Sequence, residues 1–145
     1  MPLQKNINDI IKGEVRLEEP LSGHTTFKIG GPAAAWAHPQ DREDLRRLIL
    51  FSKEVNSKTF ILGAGSNVLF KDAPYEGIVI TLCEPYFKKM ELVNGCACIG
   101  AGAHLAGLIN WTRGLGLTGL EPLAGIPATL GGALIMNAGD IGNLV

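Results

Sequence analysis

The sequence predicts an α+β fold, and three observations carry the prediction. Apolar residues repeat at helical spacing from about residue 41 to 56, between short apolar runs of strand length. Asn94-Gly95 separates two further runs with the dipeptide most typical of a tight hairpin. Strand, helix and strand followed by a hairpin do not make a repeated βαβ array.

Each element has its own justification along the chain. Asn6 to Ile11 reads as a short helix, supported by Ile7, Ile10 and Ile11. Thr25-Thr26-Phe27-Lys28-Ile29 alternates and then meets Gly30-Gly31-Pro32, so it reads as a short strand or extended arm ending in a turn. Ala33 to Ala37 is the next strand. Asp41 offers an N-cap, and Glu43 and Asp44 place negative charge in the first turn, where the helix dipole favours it. Leu45, Leu48, Ile49, Ser52 and Val55 then form one stripe, with Arg42, Arg46, Arg47 and Lys53 mostly on a solvated face. Thr59 to Leu62 is a strand feeding a glycine-rich turn, and Val68, Leu69 and Phe70 return the chain to the core. Gly77 to Leu82 is a further buried strand. Met90–Val93 and Cys96–Ile99 flank the hairpin turn. Gly100 to Ala103 is a second small-residue turn. It opens onto a helix with the stripe Leu105, Leu108, Ile109 and Thr112, ending near Gly114 or Gly116. Pro127 suits the first position of a helix over about 127–136. Gly131, Gly132 and Ala133 would leave that helix nearly bare, for a close backbone, a flat ring or a packed neighbouring helix.

Composition excludes several function classes. The chain is 46% hydrophobic and 19% charged, enough to bury a core within its 145 residues. Charges or glycines interrupt every apolar run well short of a membrane span of about 20 residues. Net charge is −1 with basic residues scattered, so no nucleic-acid footprint is present. The N-terminal stretch has no continuous apolar segment of signal-peptide type, and a cytoplasmic location is the expectation. Three cysteines, Cys83, Cys96 and Cys98, argue against a disulfide framework. Cys96 and Cys98 would share one face of a strand, but no Cys or His pair of suitable spacing follows, so buried thiols are expected and no metal site. His24, His38 and His104 lie far apart in sequence without an adjacent acid or thiol, and read as surface or satisfied core residues.

Glycine is the outlying number, at 19 residues in short clusters between apolar stretches. Many tight backbone positions suggest a large ligand threaded between loops. The most telling cluster is Ile61-Leu62-Gly63-Ala64-Gly65-Ser66-Asn67-Val68-Leu69-Phe70. No large side chain blocks approach to this turn, and Gly63 and Gly65 can adopt positive φ. Successive amides can then converge on an anion, a phosphate or pyrophosphate, with Ser66 and Asn67 adding side-chain donors. Such a turn can equally be only a turn. Neither a Walker loop nor the G-x-G-x-x-G form is present, because no Gly-Lys-Ser/Thr follows and Leu69-Phe70 stands where a helix would open.

Three ordered segments together resemble a known family. His24-Thr25-Thr26-Phe27-Lys28-Ile29-Gly30-Gly31-Pro32-Ala33 is similar to an N-T-T-F-x-I-G-G-P-A opening. Leu62-Gly63-Ala64-Gly65-Ser66-Asn67-Val68-Leu69 is similar to an L-G-x-G-S-N-x-L pyrophosphate loop. Gly119-Leu120-Glu121, then Leu123 to Ala133, then Met136-Asn137-Ala138-Gly139 is similar to G-L-E-x-L-A-G-I-P-G-T-V-G-G-A…M-N-A-G. The family is UDP-N-acetylenolpyruvoylglucosamine reductase (MurB) of bacterial peptidoglycan synthesis. The resemblance runs from about residue 20 onward.

That resemblance implies the FAD-binding fold of the vanillyl-alcohol-oxidase type, with two small α+β subdomains, here 1–82 and an incomplete 83–145, and flavin between them. It implies FAD as cofactor, NADPH as reductant and UDP-N-acetylglucosamine enolpyruvate as substrate of the complete enzyme. Gly63, Ala64, Gly65, Ser66, Asn67 and Val68 would cradle the pyrophosphate. Ile126, Pro127, Ala128, Gly131, Gly132 and Ala133 would line the adenosine and isoalloxazine path, and Asn137, Ala138 and Gly139 would approach the ring. His24 departs from the opening motif's usual Asn, and Asp140-Ile141 stands where the family reads Ala-Tyr. The family's catalytic arginine, serine and glutamate fall beyond Val145, so no catalytic residue is assigned and a fragment inactive by itself is expected. Apolar surface on Leu130, Leu134 and Ile135 would favour a second chain or self-association. A non-catalytic flavin-binding module, or a related FAD oxidase with another substrate, are the alternatives.

Overall fold

In the computed structural model, which describes residues 3–139 and the side chains from residue 7 onward, a four-stranded mixed sheet joins β1 (Glu14–Pro20), β2 (Pro32–His38), β3 (Lys58–Ile61) and β4 (Tyr75–Ile80). Their order is β1-β2-β4-β3. β1 is antiparallel to β2, whereas β4 is parallel to both β2 and β3. Alternation of side chains along β2 and β4 divides the core in two. Ala35, Ala37, Ile78 and Ile80 pack with Ile7, Ile11, Leu48 and Phe51 of α1 (Leu3–Ile10), its C-terminal flank and α2 (Arg42–Glu54). Trp36 and Val79 face the other way, toward Leu21 and Leu62, with Phe60, Val68 and Phe70 around them.

Helix α2 forms where its stripe and cap predict. Asp41 is its N-cap, with its Oδ1 accepting the Asp44 amide at 2.9 Å. Arg46 and Arg47 lie exposed beside Glu43, at 3.3 and 3.5 Å. Asp44 sits in the first turn as expected and has a further role there. It is fully buried, and its Oδ2 accepts the backbone amides of Lys12, Gly13 and Gln40 at 3.0, 3.1 and 3.2 Å.

Three segments differ from the expectation. Residues 25–29 form no strand. Lys28 has φ +53° and the Thr25 hydroxyl donates to the Ile29 carbonyl at 3.2 Å, so the segment closes on itself. Strand β1 carries no period-2 signal, because it is an edge strand rich in Glu, with Glu18 left-handed at φ +53°. The return at 68–70 is irregular: Val68 and Phe70 pack on the core while Leu69 is exposed.

The remaining elements surround a separate apolar cluster. β5 (Met90–Val93) and β6 (Cys96–Ile99) pair through a turn with positive φ at both Asn94 and Gly95, the geometry that Asn-Gly favours. Leu105 and Leu108 of α3 (Leu105–Gly114) pack with Ala133 of α4 (Leu130–Ile135), and Met90 and Ile99 join them. Cys96 and Cys98 are exposed rather than buried, because only the hairpin's Met90 and Ile99 reach that cluster. Cys83 is half-buried, and all three thiols are free.

Candidate functional site

The connection from β3 to β4 holds the glycine turn, and it runs between two parallel neighbours without a helix. Gly65 has φ +68°, and a Cβ there would fall on the carbonyl oxygen of His24. The Gly65 carbonyl in turn accepts the Thr26 amide at 3.0 Å, so the turn is seated on the loop after β1. Among the described residues, the amides of Gly63, Ala64, Gly65, Ser66 and Asn67 donate to no protein acceptor. A nest of successive unengaged amides is a general device for holding an anion.

That turn forms one wall of a cleft of about 870 Å³. Gly63, Ala64, Gly65, Ser66, Asn67 and Val68 all line it. A second wall carries Ile126, Pro127, Ala128, Gly131, Gly132, Ala133, Ala138 and Gly139, and Ala101, Gly102 and His104 line the cleft as well. The lining is largely apolar, small at the glycine turn and at Gly131–Ala133, with larger side chains from Phe60, Leu82 and Met136 and one charge from Lys88. Two segments some 60 residues apart in sequence thus meet across one groove. A Cβ on Gly63 would stand 2.6 Å from Thr129 Oγ1, which shows how closely the walls approach.

Asn137 is the one candidate that does not line the cleft. It sits after α4 with φ +46°, and its amide donates to the Leu134 carbonyl at 3.2 Å while Ala138 donates to Ala133 at 2.8 Å. Those two bonds are a Schellman C-cap, in which Asn tolerates the left-handed position. Asp140 and Ile141 lie outside the described residues.

Helix α4 also begins later than the sequence suggests. Pro127 is not its first residue. The Ala128 carbonyl accepts the Leu105 amide at 3.0 Å and Thr129 bridges His104, which keeps 128–129 extended. Thr129 is instead the N-cap, its Oγ1 accepting the Gly132 amide at 3.3 Å. Replacing Thr129 by Val keeps the shape and removes that acceptor. Chemical denaturation is expected to show a loss of about 1 kcal/mol; an unchanged midpoint would remove the cap from the account.

Two of the three histidines, His24 and His38, lie beside carboxylates. His24 Nε2 lies 2.8 Å from Glu19 Oε1, and its ring centroid lies 3.4 Å from that of Trp36. His38 Nδ1 lies 3.6 Å from Glu14 Oε2, because the two residues pair across β1 and β2. Burial holds the His38 imidazole below its ordinary value, against the pull of Glu14. His24, Trp36 and His38 line a side chamber of about 440 Å³ that shares Leu62, Gly63, Ala64, Thr81 and Cys83 with the main cleft. Glu121, at the start of the second wall's segment, has its carboxyl held low by backbone amides, its own and that of Gly119, whose N–H donates to Oε2 at 2.6 Å.

Comparison with known proteins bears on this arrangement. A family model described as FAD binding domain matches residues 33–144. The UDP-N-acetylenolpyruvoylglucosamine reductase of Geobacter sulfurreducens is 38% identical over 93% of this chain, and that of Heliobacterium modesticaldum is 43% identical over 90%. The chain spans 45% and 41% of those relatives, less than half of their length. The crystal structure of the Thermus caldophilus reductase superposes with a TM-score of 0.66 at 36% identity, over 89% of this chain and 43% of that one. A solvent-stable cholesterol oxidase superposes with a TM-score of 0.72 over 94% of this chain and 26% of that one, at 17% identity, a likeness of fold alone.

Proposed function

The chain belongs to the FAD-binding domain family, with the α+β fold of the vanillyl-alcohol-oxidase type, and from that premise we propose that it is the FAD-holding portion of a UDP-N-acetylenolpyruvoylglucosamine reductase. One observation carries the site assignment: five consecutive amides that donate to no backbone acceptor among the described residues, in a turn that lines the larger cleft. These amides, from Gly63 to Asn67, would hold the diphosphate, with the Ser66 hydroxyl and Asn67 carboxamide as further donors. Val68 anchors the turn by packing on the core.

Ile126, Pro127 and Ala128 supply a smooth apolar wall, and Gly131, Gly132 and Ala133 keep the facing helix bare enough for ring or ribityl atoms to lie against it. Ala138 and Gly139 add further small lining to the groove. Asn137 contributes by fixing the turn that presents them. The proposed subdomains, 1–82 and 83–145, would each supply one wall, so that ligand binding couples the two.

Bound flavin would supply hydride transfer from NADPH to the enolpyruvyl double bond of UDP-N-acetylglucosamine enolpyruvate, a step of peptidoglycan synthesis in the cytoplasm. The chain's own residues position the cofactor and exclude water from it. No residue among 1–145 is given a catalytic role, and cofactor binding without turnover is proposed for this portion by itself. Among the described residues no helix is long and apolar enough to cross a membrane.

Titration of FAD into the flavin-free chain tests the reading. Quenching of flavin fluorescence to a stoichiometry of one per chain is expected, with ADP competing for the same turn. A chain that emerges colourless from gel filtration after incubation with excess FAD would overturn it.

A further inference from the structure

The parallel pairing of β2 with β4 brings the C-terminal ends of both central strands to one end of the sheet, with Ala37 opposite Ile80 and the Thr81 amide bonded to the Ala37 carbonyl at 3.0 Å. Beyond that end the His38 imidazole, Cys83 thiol and Glu84 carboxylate each place one donor atom within 4.8 Å of the other two. All three side chains are half-buried. Among the described residues the buried His38 Nε2 atom has no hydrogen-bond partner, while Nδ1 faces Glu14 at 3.6 Å. The ring is held edge-on against Trp36 at 4.6 Å between centroids. An unpartnered nitrogen on an oriented ring, with a carboxylate behind it, is the usual arrangement of a metal-binding histidine.

We propose that His38, Cys83 and Glu84 bind a divalent transition cation of the zinc class, leaving its fourth position open to the side chamber. One nitrogen, one sulfur and one oxygen donor suit zinc rather than magnesium or calcium, which take oxygen ligands almost alone. Bond lengths of about 2.0–2.3 Å at a tetrahedral ion require donors roughly 3.3–3.8 Å apart. Closing the present spacing takes a movement of about 1 Å, which Cys83 and Glu84 can make because they lie in the loop that follows β4. Binding forms a zinc–thiolate bond, and the Cys83 proton passes to solvent. The ion would tie the end of β2 to the segment that leads to the hairpin. The site uses no residue assigned to the flavin, although Cys83 also lines the flavin cleft.

Cobalt(II) and zinc titrations of the reduced, chelator-treated chain test the proposal. One ion per chain is expected, with a thiolate-to-cobalt charge-transfer band in the near ultraviolet and a rise in melting temperature on adding zinc. Cys83→Ser should abolish the band, and His38→Gln and Glu84→Gln should each weaken binding by more than about tenfold. The double variant Cys96→Ser/Cys98→Ser alters only exposed hairpin thiols and should keep the band at full strength. Loss of the band in that double variant, or no zinc uptake by the unaltered chain at about 100 µM metal, would overturn the proposal. FAD uptake by each variant, measured in parallel, reports separately on the flavin cleft.

Discussion

Gly65→Ala is expected to abolish measurable flavin binding and to destabilise the folded chain by at least about 2 kcal/mol. Two independent effects add at this position. The residue sits at φ +68°, where any L side chain meets its own backbone, at a cost of about 1–2 kcal/mol. The new methyl would also fall on the carbonyl oxygen of His24, with Thr25 Cα 3.1 Å away, so backbone rather than a rotatable side chain must move. The movement would break the hydrogen bond from the Thr26 amide to the Gly65 carbonyl and shift the neighbouring amides that are proposed to hold the diphosphate. Denaturation with and without FAD separates the two consequences. An alanine variant with unchanged midpoint and unchanged flavin affinity would show that this conformation is not needed. Gly63→Ala is the useful contrast. Its methyl would meet Thr129 Oγ1 at 2.6 Å, a side-chain atom, so it narrows the cleft and strains a helix cap while leaving the turn's backbone in place.

Asp44→Ala should be the most destabilising single change on the opposite side of the sheet, by roughly 3–5 kcal/mol. Its Oδ2 gathers amides from three places: Lys12 after α1, Gly13 before β1 and Gln40 before α2. Alanine leaves those donors without their acceptor and opens a void at a position with no solvent exposure. For a domain of ordinary stability, about 5–15 kcal/mol, this approaches the whole margin. Asp44→Asn keeps one carbonyl oxygen for the three amides and should lose markedly less. Thermal and chemical denaturation read both variants. An alanine variant within about 1 kcal/mol of the unaltered chain would mean that water replaces the carboxylate, and Asp44 would lose its structural role. Flavin affinity of the folded fraction should stay unchanged, since α1 and α2 cover the sheet face away from Trp36 and Leu62.

Much of this architecture is legible in local chemistry. Asp41 and the stripe from Leu45 to Val55 specify α2, because capping and helical periodicity act within a few residues. Asn94-Gly95 specifies the hairpin, because both residues accept positive φ cheaply. The turn at 63–67 is legible in its glycines, which announce a backbone that must be left bare: Gly65 takes φ +68° and Gly63 lies against Thr129. Segments governed by distant partners are not legible in that way. Strand β1 exists because β2 offers it a ladder, not because its glutamates prefer extended backbone. Thr25 to Ile29 alternates like a strand and yet closes into a loop through one hydroxyl and one left-handed lysine. Pro127 looks like a helix start, but pairing of Ala128 and Thr129 with the segment before α3 postpones the helix to Leu130.

The site divides along the same line. The residues that must be small, and their order along the chain, are written in the sequence, since steric exclusion needs only the residue itself. That 63–68 and 126–139 become the two walls of one cleft was decided by tertiary structure, through the β3–β4 connection and the packing of α4 on α3. So was the meeting of Glu14, His38, Cys83 and Glu84. Residue-level chemistry acts at a range of a few bonds or one helical turn, whereas strand pairing joins atoms far apart along the chain, and only the folded backbone determines which of them become neighbours.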